Sequence, residues 1–236
     1  MTPRIIEIRQ GLLKKNDELA RGLRKRFRDD HVFVVNLVSS PGSGKTELLE
    51  LTLRRLAERG LALAALVGDL ETDNDARRLQ RSGVPVKQIQ THGICHLEAT
   101  MIEQHLEGWD LHQLDLLFIE NVGNLVCTSS FDLGESLRVA LLSVTEGEDK
   151  PLKYPTLFAS ADVAIITKID LVEPCRFDRE LALTNLRATQ SQIKVFETSA
   201  RTQAGIEAWI DFLEQQCLWK TARQSGVASE PKTITN

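Results

Sequence analysis

The stretch HVFVVNLV–SSPGSGKT, His31 to Val38 and then Ser39 to Thr46, decides how the rest of the chain is read. Its first half is apolar, β-branched and too short for a helix, so it reads as a strand buried on both faces. Its second half fits G-x-x-x-x-G-K-S/T at every fixed position but the first, where Ser39 replaces glycine. Gly42 and Gly44 let the backbone curl so that successive N–H groups converge on phosphate oxygens. The helix that starts near Gly44 adds its positive end. On this pattern Pro41, Gly42, Ser43, Gly44, Lys45 and Thr46 cradle a nucleotide's phosphates. Lys45 reaches the β- and γ-phosphates, and the Thr46 hydroxyl binds Mg²⁺. A glycine-rich turn that binds nothing is the bland alternative, and the strand–loop–helix setting argues against it.

Working outward, Leu61 to Val67 is a second buried run, closing on Gly68 and Asp69. Further strands are expected at Lys87–Gln90, Leu114–Ile119, Leu137–Ser143, Val163–Thr167 and Ile193–Glu197. Helices are expected over 3–28, from the glycine loop to Arg59, and over 74–82, 97–107, 178–190 and 205–219. Strands alternating with helices predict an α/β fold, a P-loop domain with a doubly wound, mostly parallel sheet and ligands at the strands' carboxyl ends. The expected division is an N-terminal helix over 1–30 packing on the domain, a P-loop domain over 31–219, and a disordered tail over 220–236.

At 236 residues, 42% hydrophobic and 26% charged, the chain suits one sizeable globular domain. A net charge of −4 gives no reason to expect a nucleic-acid partner. The basic run Arg21 to Arg28 lies on an amphipathic helical pattern and reads as a solvated face. No apolar stretch approaches the roughly 18 residues of a membrane span. The opening MTPRIIEIRQ is charged where a secretory signal needs an apolar core, so a cytoplasmic location is expected. The four cysteines, Cys95, Cys127, Cys175 and Cys217, include no C-x-x-C pair, and read as thiols or metal ligands rather than a disulfide frame.

The carboxyl ends of the expected strands carry the remaining chemistry. The run LDLLFIE ends in Glu120, suited to hold Mg²⁺ through a water or to orient the nucleophile. Asp69 opens the acidic segment GDLETDND, which is reasonable beside a triphosphate only with Mg²⁺ or a water-activating role. The segment also fits a helix N-cap cluster, with Thr72 or Asp73 capping the 74–82 helix, so Asp73 and Asp75 suit such a cluster as well as a site. Lys45, Asp69 and Glu120 are therefore the catalytic candidates, and Thr46, Asp69 and Glu120 the Mg²⁺ set. In VAIITKID, Asp170 can accept from guanine N1–H and its 2-amino group, donors that adenine lacks. The Lys168 stem can lie over the purine, and Thr167 stands where N-K-x-D has asparagine. Ser199 and Ala200, in TSA, supply a backbone N–H for guanine O6. Together these favour GTP over ATP.

Cys95 and His96 precede the helical run LEATMIEQHL, where a thiolate at a helix start is stabilised by the dipole. Cys127 follows Glu120 by seven residues, which places it near the γ-phosphate edge and near Cys95 and His96. Three such ligands suit Zn²⁺ or Ni²⁺, and an incomplete set favours sharing across a twofold dimer. Spacing alone equally allows two buried cysteines and a loop histidine. His92, His105 and His112 read as surface or capping residues, Cys175 and Cys217 as ordinary thiols.

With SSPGSGKT, GDLETDNDARR, HGICHLEATM, ENVGNLVC, EDKPLKYP, TKID and TSA assembled, residues 5 to 215 resemble the HypB family, GTPases that assist nickel insertion into nickel–iron hydrogenase. A related urease-maturation GTPase family is similar at the P-loop but carries Cys-Pro-His in place of this Cys-His. The resemblance implies GTP/GDP and Mg²⁺ as ligands, and a Ni²⁺ (or Zn²⁺) site of Cys95, His96 and Cys127 at a nucleotide-dependent homodimer interface. It also implies two partners, a small nickel-donating accessory protein and a hydrogenase large subunit. Some members carry an N-terminal cysteine cluster or histidine tract; this sequence has no cysteine before Cys95 and no histidine run, so those functions are expected absent. Hydrolysis is expected to be slow, since spacing reveals no cis arginine finger. The rivals are a urease-type chaperone, a P-loop small-molecule kinase, and a passive metal-binding module.

Overall fold

The computed structural model describes residues 3–69 and 74–224, with side chains over 10–69 and 75–217. Seven strands form one sheet: β1 (Phe33–Val38), β2 (Leu63–Asp69), β3 (Val86–Gln90), β4 (Leu116–Glu120), β5 (Leu137–Ser143), β6 (Val163–Thr167) and β7 (Lys194–Thr198). Their spatial order is β3-β2-β4-β1-β5-β6-β7, and every neighbouring pair is parallel. From β1 the chain winds first one way and then the other, which makes the carboxyl end of β1 the switch point where ligands settle. The register sets Leu37 beside Glu120 and Thr167 beside Thr198, so the two strand pairs deliver their terminal residues level with one another.

Every β1 residue is buried because both faces of the sheet are covered. Phe33, Val35 and Leu37 face α2 (Lys45–Glu58), α3 (Asn74–Gln80) and α9 (Ile206–Gln224). On that face the buried Trp209 donates its indole N–H to Thr52 Oγ1 at 3.1 Å, leaving no polar atom of the ring unsatisfied. Val34 and Val38 face the other layer, built from α1 (Pro3–Asp29), α4 (Ala99–His105), α6 (Pro155–Ala159) and α8 (Arg179–Thr189). The short helices α5 (Lys150–Lys153) and α7 (Val172–Cys175) complete the set.

The first helix is seated in this second layer. Ala20, Leu23 and Phe27 are buried with Val34, Leu117, Ile119 and Leu133. Leu23 and Phe27 contribute about 1.5–3 kcal/mol each by leaving water. Asn16 donates to the Asp132 carbonyl and accepts from the Ala99 N–H, both at 2.8 Å, so α1 caps α4. The basic run is paired with acids: Arg24 meets Asp132 at 2.6 Å, Lys25 meets Asp29 at 2.5 Å, and Arg26 meets Asp30 at 3.7 Å.

The parallel sheet is the one expected, and the departures are local. The stretches 150–159 and 172–175, flanking β6, to which periodicity assigned no helix, fold into α5, α6 and α7, two of them opened by Pro151 and Pro155. Helix α9 runs five residues past its expected end at 219, through residues of good helix propensity such as Ala222, Arg223 and Gln224. The expected tail therefore begins as helix, and its residues 225–236 lie outside the described residues, as do Thr72 and Asp73, the candidate caps of α3. Among the described residues no helix is long and apolar enough to cross a membrane.

Candidate nucleotide and metal site

The loop between β1 and α2 has the backbone that its glycines predict, with φ of +73° at Gly42 and +90° at Gly44. Ser39, in the position of the missing glycine, is fully buried; its hydroxyl accepts from Ser43 Oγ at 2.7 Å and donates to the Ser40 carbonyl at 2.9 Å. The serine thus braces the loop from inside. Ser40 Oγ bonds Glu146, whose other oxygen accepts the Ser143 N–H at 3.1 Å, tying the loop to the end of β5.

Thr46 Oγ1 donates to Glu120 Oε1 at 2.6 Å, and Lys45 Nζ lies 3.2 Å from the same oxygen. Glu120 is 1% exposed and its Oε2 has no hydrogen-bond partner. A buried carboxylate oxygen left unpaired is costly, and hard oxygen donors at Thr46 and Glu120 fit Mg²⁺. Asp69, at the end of β2, lines the same cavity of about 430 Å³ as Lys45, Thr46 and Gly123. Asp75 and Arg78 line it as well. Arg78 escaped the sequence reading because nothing in its spacing brings α3 to the phosphate loop; Glu50 now anchors it at 2.7 Å.

A neighbouring cavity of about 160 Å³ is lined by Gly44, Thr167, Lys168, Asp170, Ser199 and Ala200. Ser199 Oγ donates to Asp170 Oδ1 at 2.5 Å and aims the carboxylate. Lys168 sits in the left-handed region, φ +60°, and donates to the Gly42 carbonyl at 2.6 Å, which lays its stem over Gly44. Thr167, the departure from N-K-x-D, donates to the Ser43 carbonyl at 2.6 Å. Its hydroxyl ties the base loop to the phosphate loop.

Cys95, His96 and Cys127 offer ligand atoms that lie within 4.8 Å of one another. The two Sγ atoms are 2.7 Å apart, and Cys95 Sγ is 3.9 Å from His96 Nδ1. None of the four cysteines is in a disulfide. Cys95 is not at a helix start as expected, since α4 begins four residues later at Ala99. A left-handed turn at His92 and Gly93, closed by Ile94 N–H on the Thr91 carbonyl at 3.0 Å, presents it instead. Cys127 is presented by Asn124, whose Oδ1 accepts the N–H groups of Val126 at 2.7 Å and Cys127 at 2.9 Å. The His96 ring stacks on Phe131 with centroids 3.8 Å apart. Burial pushes the His96 pKa below its ordinary value against the opposing pull of Glu98, which favours the neutral form that binds metal. Phe131 was absent from the sequence reading, for no spacing rule links it to His96. Of the remaining candidates, His105 Nδ1 faces the Met101 carbonyl at 2.8 Å, His112 meets Asp30 at 3.0 Å, Cys175 is exposed and Cys217 is buried.

The two sites share a seam. Asn121 Oδ1 accepts the Leu97 N–H at 3.2 Å, joining the Cys95–His96 loop to the end of β4. A Cβ on Gly123 would lie 3.0 Å from the Pro41 Cα, so the segment from Glu120 to Cys127 rests with its backbone against the phosphate loop.

Residues 33–197 match the family described as CobW/HypB/UreG, nucleotide-binding domain. The hydrogenase maturation factor HypB of Azotobacter vinelandii is 48% identical over 213 residues, which cover 90% of this chain and 70% of that protein. The hydrogenase/urease maturation factor HypB of Helicobacter hepaticus is 44% identical over 215 residues, covering 89% of this chain and 88% of that protein. Among solved structures, HypB from Helicobacter pylori in complex with nickel superposes with a TM-score of 0.81 at 38% identity, covering 92% of this chain and 99% of that one.

Proposed function

Since the chain belongs to the CobW/HypB/UreG nucleotide-binding family and, within it, to the HypB hydrogenase maturation factors, we propose that it is a GTP-hydrolysing metallochaperone controlling nickel delivery during nickel–iron hydrogenase maturation. The observation that carries the proposal is the seam: one segment runs from Glu120, bonded to Thr46 of the phosphate loop, to Cys127, in the thiol–imidazole cluster, and leans on Pro41 between them. In this reading Asp170 selects guanine, Lys168 covers the purine, and the backbone at Ser199 and Ala200 meets O6. Lys45 turns from Glu120 to the β- and γ-phosphates, while Asp69 and Glu120 orient the attacking water. Thr46, Asp69 and Glu120 would hold Mg²⁺, which neutralises charge on the phosphates when bound.

Nickel is the cargo of Cys95, His96 and Cys127, and the same ligands suit Zn²⁺. Three ligands per chain leave the set incomplete, so a homodimer that brings two clusters together in the GTP state completes it. A small nickel-donating accessory protein and the hydrogenase large subunit are the partners of this cycle. Loss of the γ-phosphate releases the Glu120–Cys127 segment and with it the metal. A working cycle needs a coupling of about 1–3 kcal/mol, a roughly 5- to 150-fold change in nickel affinity between nucleotide states. The Helicobacter hepaticus relative, described as serving hydrogenase and urease, supports a second reading in which the recipient is urease.

The test is nickel binding and oligomeric state of the wild type and Cys127→Ala, each with GDP and with a non-hydrolysable GTP analogue. The expected result is a nucleotide-dependent change in nickel affinity that Cys127→Ala abolishes. Equal affinity in both nucleotide states sinks the coupling.

A further inference from the structure

Cys127–Ser130 make a single 3-10 turn, and the extended backbone that leaves it at Phe131 must hold that ring against His96. Half-buried carbonyls at the end of such a turn, which lack the next turn's N–H groups, need other donors. Here they come from one side chain on the neighbouring strand. Arg138, on β5, donates from Nη2 to the Phe131 carbonyl at 3.0 Å and from Nη1 to the Ser129 carbonyl at 3.4 Å. Its Nε donates to Glu135 Oε1 at 2.7 Å, and both side chains are about nine-tenths buried.

The bonds continue into a closed ring. Glu135 Oε1 accepts from Asn36 at 3.2 Å, the Asn36 amide oxygen accepts from Asn121 at 3.4 Å, and Asn121 accepts from the Leu97 N–H. Leu97 adjoins His96, which returns to Phe131 through the ring stack. Asn36 and Asn121 are fully buried.

A buried ion pair is a poor way to gain stability, because an apolar pair of similar volume often does as well or better. The planar fork of arginine, with several donors fixed in one plane, is what two carbonyls and a carboxylate together require, and lysine cannot reproduce it. We propose that Arg138 is a positioning residue for the thiol–imidazole site: by holding the Ser129 and Phe131 carbonyls it fixes the Phe131 ring, and through it His96, in the place where a divalent transition metal is bound. The inference rests on the metal reading above.

The test measures Ni²⁺ affinity by competition with a chromophoric chelator, the thiolate-to-nickel charge-transfer band, and GDP affinity. The proteins are wild type, Cys127→Ala, Arg138→Lys, and Arg138→Met combined with Glu135→Gln. Arg138→Lys keeps the charge facing Glu135; the double variant removes both charges and keeps an acceptor for the Leu133 N–H, which Glu135 Oε2 now accepts at 2.8 Å. Partners outside the ligand shell typically hold about 10–100-fold of metal affinity. Both Arg138 variants should therefore bind Ni²⁺ about 10- to 100-fold more weakly with an altered charge-transfer band, while GDP affinity stays within about twofold. Unchanged nickel affinity and band in both overturn the proposal, as does a loss of GDP affinity in proportion, which is the mark of a merely structural role. If wild type and Cys127→Ala bind Ni²⁺ alike, the metal reading itself falls and takes this inference with it. If only the Arg138 variants behave as wild type, the metal reading stands and the inference alone is wrong.

Discussion

Asp170 and Ser199 meet at 2.5 Å just beyond the ends of two adjacent strands, whereas Cys95, His96 and Cys127 are carried on turns outside the sheet. At the base cavity the register of β6 and β7 does the positioning, and one hydroxyl–carboxylate bond finishes it. At the thiol cluster no strand carries a ligand. Asn124 shapes one turn, Asn121 ties down the other, and Phe131 closes over His96. The Asp170–Ser199 end is therefore set by a rigid scaffold, while the thiol–imidazole end depends on side-chain bonds that can be altered one at a time. On the function proposed above, that is the arrangement expected of a site whose affinity changes during the cycle.

The largest effect is expected at Asp170. A site built to bond a donor pair rejects a ligand lacking it by about 10⁴-fold, so Asp170→Ala should erase a GTP-over-ATP preference of that order. Competition binding of the two nucleotides checks it, and nickel affinity without nucleotide should stay within about twofold. At the other end, Asn124→Ala removes the acceptor for two N–H groups ahead of Cys127. It should weaken nickel about tenfold and leave GDP affinity unchanged; a parallel loss of both would show that the two ends are not separately braced.

The smallest effect lies under the metal loop, at Asp132. Burial raises its pKa, but the Arg24 guanidinium and the Gly134 N–H outweigh it and hold the carboxyl below 3.8. A depressed carboxyl contributes stability that is complete above its unfolded value and lost as pH falls through the folded one. Both side chains of the pair are about a third exposed, 37% and 32%, so the contribution is a fraction of about 1 kcal/mol. Urea midpoints between pH 5 and pH 2 should fall slightly more steeply for wild type than for Asp132→Asn, and equal slopes would remove the assigned role.

The same contrast explains what could be read in the sequence. The strand-plus-loop signature of β1 and the TKID and TSA segments were legible because each occupies a strand end, where backbone geometry and spacing are locked together. The approach of Cys127 to Cys95 and His96 followed from sheet logic. The turn that presents Cys95 is not legible, since LEATMIEQHL shows helical periodicity but not where the first helical residue falls. Phe131 and Arg138 were invisible: a ring contact across 35 residues and a guanidinium bonding carbonyls leave no periodic trace. Thr167 looked like a weakened motif until its bond to Ser43 showed what the hydroxyl does.

Phe27 and Leu23 fill a furrow otherwise floored by Val34, Leu117, Ile119 and Leu133. A shortened protein starting at residue 31 would open that furrow to water along the back of β1 and β4, and would strip the cap from the start of α4. Such a fragment should be sticky, prone to self-association, and slack in the loop before Ala99. The smallest unit able to stand alone therefore includes the opening helix, however detachable it looks on paper.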